Sequence, residues 1–242
     1  MAKYKVLSTK KLEPSLIEQA NQHDIEIIEQ EFISIKPIWN QETFDKIIGF
    51  TRQKKFNIAL TSANAVDALN SCMTDNDSYY VIDWNIFCLS GKTKQAVINA
   101  KFLGKNIIGE SKNAKELAQK IIEAGIDEII FFCGNKRRDD LPRLLEDSNI
   151  KVHEVVLYET IETPVAVDNN FDAILFFSPS GVQSFFCSND LKDSTICFAI
   201  GPTTSTSIAT FTTNKIIDSL APDPVMMLEE VIDYFKQKPA VK

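Results

Sequence analysis

The sequence predicts an α/β protein of two similar halves, each a parallel sheet with helices on both faces. Three observations predict it. Short apolar, β-branched or aromatic runs alternate with helix-period segments; several strand–turn–helix units occur twice; and two extended, proline-bearing segments stand where the chain would cross between halves. With 242 residues, 44% of them apolar and 24% charged, the chain is long enough for two domains with separate cores.

Taken along the chain, "KYKVLST", "FNIALTS", "NIFCLS", "KNIIGE", "DEIIFFCG", "FDAILFFS", "TICFAIG" and "NKIIDSL" read as buried strands. Helices separate them. The clearest covers 114–124, where Ala114, Leu117, Ala118, Ile121 and Ile122 share one face. Asn113 and Glu116 form its capping pair, and Gly125 suits a left-handed exit. The last helix starts at Asp223-Pro224, as cap and first residue, and turns Leu228, Val231, Ile232 and Phe235 inward.

The repeat sets the domain organisation. "LTSANAV" resembles "FFSPSGV", "CLSGKTK" resembles "FAIGPTT", and "NIIGE" is echoed by "KIIDS". The opening unit, "YKVLST…HDIEIIEQEF", is echoed by "EIIFFCG…SNIKVHEVVLY", which lies late in its half rather than early. If both sheets are to be complete, residues 1–34 belong with 166–242, and 39–153 form an inserted domain. The crossings are then 32–38 and 155–165, whose Pro37 and Pro164 stop helix continuation and which can pair as a two-stranded ladder acting as a hinge. A sequential tandem with one linker is the alternative.

Four strand-to-helix junctions carry small or hydroxyl residues: Thr61-Ser62-Ala63-Asn64, Gly91-Lys92-Thr93, Ser178-Pro179-Ser180-Gly181 and Gly201-Pro202-Thr203-Thr204. Gly91-Lys92-Thr93 looks like a nucleotide phosphate loop. That loop needs a second glycine five positions earlier, and Ile86 stands there. The four junctions read better as anion-facing turns. Ligands of open α/β sheets bind outside the carboxyl ends of the strands, where helix amides and hydroxyls supply donors. Two such junctions per half, facing across a cleft, suit a large, multiply anionic ligand. Each is also an ordinary helix cap worth roughly 1 kcal/mol, and for any single junction that reading stays open.

The net charge of −7 argues against a nucleic-acid surface, so an anionic ligand must be met by local donors. The 5 cysteines form no Cys-x-x-Cys pair and read as buried free thiols in a reducing compartment. The 2 histidines, His23 and His153, lie far apart and make a metal site unexpected. "MAKYKVLSTKK" lacks an apolar signal core and no stretch is long enough to span a membrane, so a cytoplasmic protein is expected.

With those residues assembled, the chain resembles the uroporphyrinogen-III synthase family over nearly its whole length. The resemblance lies in "LTSANAV", "GKTKQAV", "CGNKRRDDLPRLL", "VVLYET", "FFSPSGVQSFF", "AIGPTTSTSI" and "LAPDPVMMLEEV", in the family's order. It implies two Rossmann-like, flavodoxin-like domains joined by a two-stranded ladder and a cofactor-independent enzyme; a monomer is expected, though nothing in the sequence decides it. It also implies the substrate hydroxymethylbilane, a linear tetrapyrrole polycarboxylate cyclised with inversion of ring D and loss of water. Tyr158, matching the tyrosine of "LYET", is the expected catalytic residue, its phenol donating a hydrogen bond to the departing hydroxide. Thr61, Ser62, Ala63, Asn64, Gly91, Thr93, Gly134, Ser178, Ser180, Gly181, Gly201, Thr203 and Thr204 are the expected substrate-binding set. Some relatives carry a basic residue where Asn64 stands, so no charge pairing is assigned to it. Lys92, Lys94, Lys136, Arg137 and Arg138 are candidates for extra cationic screening. The competing reading is a two-lobed α/β small-molecule-binding protein without catalysis.

Overall fold

The computed structural model describes residues 2–51, 56–74, 84–100 and 106–237. In chain order the elements are β1 (Tyr4–Ser8), α1 (Pro14–Asn21), β2 (Ile25–Glu29), β3 (Ile33–Pro37), α2 (Gln41–Thr51), β4 (Asn57–Leu60) and α3 (Ala63–Thr74). Next come β5 (Asn85–Leu89), α4 (Lys92–Asn99), β6 (Ile107–Ser111), α5 (Ala114–Glu123), β7 (Glu128–Gly134), α6 (Asp140–Glu146) and β8 (Lys151–Glu162). The chain ends with β9 (Ala173–Phe176), α7 (Pro179–Phe186), β10 (Ile196–Ala199), α8 (Pro202–Ala209), β11 (Ile216–Asp218) and α9 (Pro224–Gln237).

These form two compact units, Met1–Ser34 with Ile161–Lys242, and Ile35–Thr160. The first holds a parallel five-stranded sheet in the order β11-β10-β9-β1-β2. The second holds a six-stranded sheet, β3-β8-β7-β4-β5-β6, parallel apart from β3. The antiparallel course of β3 beside β8 is fixed by two main-chain bonds, Ile38 N–H to Leu157 C=O at 2.8 Å and Thr163 N–H to Phe32 C=O at 2.9 Å.

Leaving β3 aside, the two sheets share one strand pattern with the chain permuted. Strands β7, β8, β4, β5 and β6 occupy the places of β1, β2, β9, β10 and β11. The repeated sequences therefore mark equivalent positions. In each sheet the winding direction reverses between two neighbouring strands: β1 and β9 in the first unit, β7 and β4 in the second. Crevices at such reversals are where ligands of this architecture bind.

Both faces of each sheet are buried, which explains the apolar runs without alternation. In the first unit Val6, Leu175 and Phe198 pack with Leu16, Leu228 and Val231 on one face; Leu7, Phe176 and Ala199 pack with Val182, Phe185 and Ile208 on the other. In the second, Leu60, Ile86 and Phe132 pack with Val66, Leu69 and Val97, while Ala59, Phe87 and Phe131 pack with Leu117, Ile121 and Leu141. An amide row sets the register of the second sheet: Asn85 Nδ2 donates to Asn57 Oδ1 at 2.9 Å, and Asn106 Nδ2 to Asn85 Oδ1 at 2.8 Å.

The local signals act as expected. Asn113 Oδ1 accepts from Glu116 N–H at 2.9 Å, and Gly125 takes a φ of 63° just beyond α5. Asp223 Oδ1 accepts from Val225 N–H at 2.7 Å, starting α9. Cys88, Cys133 and Cys197 are free and buried. Burial, the leading cause in each, pushes their thiols up to about 11, 11 and 12. Cys187 is exposed, against the expectation of burial, because it caps the solvent end of α7. The Cys72 side chain lies outside the described residues. Among the described residues no helix is long and apolar enough to cross a membrane, and no group of three or more His, Cys, Asp or Glu is placed to hold a metal.

Candidate functional site

The expected site residues sit at the carboxyl ends of the strands in both units. In the second unit, at the reversal between β7 and β4, Tyr158 and Ser62 meet: the Tyr158 hydroxyl donates to Ser62 Oγ at 3.1 Å. Ser62 Oγ also accepts from Asn64 N–H at 3.2 Å, so this serine starts α3 and holds the phenol at once. Both lone-pair sites are engaged, which leaves the Ser62 proton for another acceptor.

Tyr158 reaches that point through a defect in the sheet. β7 and β8 pair in register from Glu128 with Lys151 to Cys133 with Val156, then the register shifts and Gly134 stands opposite Tyr158. The extra residue, Leu157, is fully buried. The bulge re-aims the side chains that follow it. The Tyr158 ring lies directly over Gly134: a β-carbon there would stand 2.4 Å from Cζ, 2.5 Å from Cε2 and 2.8 Å from the hydroxyl oxygen. Gly134 is thus the floor of the tyrosine's seat.

The two units use the same pair of turn types. After β4 and β9 the turn is capped by its own serine; Ser178 Oγ accepts from Gly181 N–H at 3.1 Å, as Ser62 does from Asn64. After β5 and β10 the cap is a glycine with no side-chain acceptor, Gly91 before α4 and Gly201 before α8. Gly91 has φ 72° and ψ −130°, a conformation a β-carbon would strain. At the second turn Pro202 has no N–H and Thr204 N–H donates to Gly201 C=O at 2.9 Å, so exposed Thr203 offers the remaining amide and a hydroxyl. Helix starts lacking an acceptor keep their amides for an anion.

The remaining expected residues divide by exposure. Thr61, Ser62, Ala63, Asn64, Ser178 and Ser180 are half-buried at their turns. Thr93 and Thr204 are only 6% and 3% exposed, and Gly181 is buried, so these turns present main chain more than side chain. Two of the expected cations are tied to carboxylates of their own unit. Lys94 Nζ is 2.6 Å from Glu110 Oε2; the pair holds the ammonium above and the carboxylate below their ordinary ranges. Arg137 grips Glu154 with both arms, Nη2 to Oε1 at 2.6 Å and Nε to Oε2 at 2.8 Å, and also bonds Asp139. Lys92 and Arg138 are exposed.

Residues at the rim that sequence reasoning missed include Ser8 and Thr9 at the end of β1. Both are buried, and Thr9 Oγ1 donates to Leu175 C=O at 2.8 Å. "LST" after an apolar run carries the same hydroxyl signal as the four junctions singled out. Asn135 was also missed, although Gly134-Asn135 after a strand is a turn signal.

Known proteins resemble this chain throughout. The family model described as "Uroporphyrinogen-III synthase HemD" matches residues 14–226. The uroporphyrinogen-III synthase of Saccharomyces cerevisiae is 26% identical over 211 residues, covering 75% of this chain and 77% of that one. Among solved structures, the uroporphyrinogen-III synthetase of Helicobacter pylori superposes with a TM-score of 0.68 at 14% identity, over 96% of this chain and 99% of its own. A mutant uroporphyrinogen III synthase from Thermus thermophilus gives 0.64 at 12% identity, over 97% and 100%. At these identities the two structures speak to the fold.

Proposed function

The chain belongs to the uroporphyrinogen-III synthase HemD family, and from that premise we propose how its rims carry out the reaction. The activity is uroporphyrinogen-III synthase, a hydro-lyase step of tetrapyrrole biosynthesis whose substrate is hydroxymethylbilane. For the substrate's acetate and propionate groups each unit offers donors of its own: the glycine-capped start of α4 and the Ser62 hydroxyl in one, the glycine-capped start of α8 and the hydroxyls of Ser180 and Thr203 in the other. Main-chain amides do most of this work, which fits a protein of net charge −7 whose Lys94 and Arg137 are already paired.

The ring A hydroxymethyl group loses hydroxide as the pyrrole nitrogen donates its electron pair, giving an electrophilic azafulvene. Tyr158 donates a hydrogen bond to the departing hydroxide, which takes up the proton released by the pyrrole nitrogen and leaves as water. The substituted carbon of ring D attacks the azafulvene; the spiro intermediate fragments and recloses with ring D inverted. Because the electron-rich pyrrole expels hydroxide readily, holding rings A and D in one closure geometry is the larger part of the task.

The observation that carries this reading is the Tyr158–Ser62 contact, which joins the expected catalytic phenol to an expected binding residue at the strand reversal. It is tested with Tyr158→Phe. The variant is expected to keep its fold and KM and to lose about tenfold in kcat, below the usual range for an acid because the pyrrole drives departure. Turnover equal to the wild type would remove the acid role.

A further inference from the structure

We propose that Asn135 is a positioning residue for Tyr158, acting as the last rung of a ladder that the bulge would otherwise end one residue too soon. Past the shift at Gly134, the strand beside Tyr158 has almost run out. Asn135 N–H donates to Tyr158 C=O at 3.0 Å, as a parallel strand would. In a regular ladder the Asn135 carbonyl would next accept from Thr160. The chain turns instead, with Arg137 N–H donating to Gly134 C=O at 3.2 Å. The side chain takes over: Asn135 Oδ1 accepts from Thr160 N–H at 2.9 Å.

One residue therefore holds the peptide groups on both sides of Glu159. The backbone leaving Tyr158 is fixed by that clamp, and the backbone entering it by the paired part of β7. A ring resting over Gly134, with its hydroxyl on Ser62, keeps that place only while the strand beneath it stays put. Arg137, bound to Glu154 on the same strand, anchors the far end of the 134–139 turn. Asn135 itself is exposed, so its role is geometric and not a matter of core packing.

The test compares Asn135→Ala, which removes the acceptor, with Asn135→Asp, which keeps an oxygen in its place. The direct readout is the fluorine resonance of 3-fluorotyrosine incorporated at Tyr158. Asn135→Ala is expected to shift or broaden it, and Asn135→Asp to restore it. The kinetic readout rests on the proposed role of Tyr158. There Asn135→Ala lowers kcat about fivefold with KM within about twofold, and costs clearly less than that in the Tyr158→Phe background. An unmoved resonance in Asn135→Ala, or losses that multiply with Tyr158→Phe, overturns the proposal. Full activity of Tyr158→Phe alone would instead strike at the catalytic reading, leaving the resonance to decide the role of Asn135. Should Asn135→Ala fail to fold, Asn135→Ser, whose hydroxyl falls short of Thr160, reads the same resonance with the same two outcomes.

Discussion

Gly134→Ala is expected to keep its fold and to lose about a hundredfold in kcat, more than removal of the Tyr158 hydroxyl. The added β-carbon would stand 2.4 Å from Tyr158 Cζ and 2.8 Å from its hydroxyl oxygen, closer than atoms tolerate. The colliding atoms are the outer end of a side chain, so the ring gives way and the sheet does not. Giving way breaks the 3.1 Å bond to Ser62. Tyr158→Phe deletes the donor but leaves the ring seated, whereas Gly134→Ala displaces donor and bulk together, hence the larger loss. Circular dichroism and thermal unfolding should match the wild type while kcat falls. A variant that turns over normally would mean that the seat of Tyr158 is irrelevant to the reaction.

Phe132→Ala carries the largest expected cost in stability, about 3–4 kcal/mol for the unit built from 35–160. Phe132 is fully buried on β7, in the cluster formed by Leu60, Ile86 and Val66, and its ring centroid lies 5.6 Å from that of Trp84. Truncation removes most of a benzyl group between a sheet and its helices, and neighbours held by strand pairing cannot close the void. Denaturant unfolding should show an earlier midpoint for the transition of this unit. Because β7 also leads into Gly134 and Asn135, activity should fall with temperature well below the wild-type limit. An unchanged midpoint would show that this face of the sheet is less tightly packed than its burial implies.

Much of the architecture is legible in the sequence because it is written in burial. Val6 and Leu7 face opposite sides of one sheet, as do Phe131 and Phe132 of the other, so the runs around them are apolar throughout. The helix around Leu117 and the caps at Asn113 and Asp223 depend on neighbours two to four residues away, and local patterns find them. The permuted strand order is legible too, because the opening unit of the chain is echoed late in the second half.

What escapes is whatever depends on exact register between distant residues. The bulge between Cys133 and Gly134 leaves no local mark, yet it decides where Tyr158 points. Arg137 looks like a free cation in a basic run; Glu154, which neutralises it, lies on the next strand. Thr93 has the right chemistry for a ligand but folds inward on the first turn of α4, so its turn offers amides in its stead. Asn135 is one of many exposed asparagines by sequence, and only the broken ladder gives it a task.

All of this rests on a chain that governs which way a flexible tetrapyrrole closes. The direct measurement is to give the purified protein freshly made hydroxymethylbilane, oxidise the products and separate the porphyrin isomers. Predominance of the type III isomer, with ring D inverted, is the predicted result. Type I alone, the product of closure without inversion, would contradict the account.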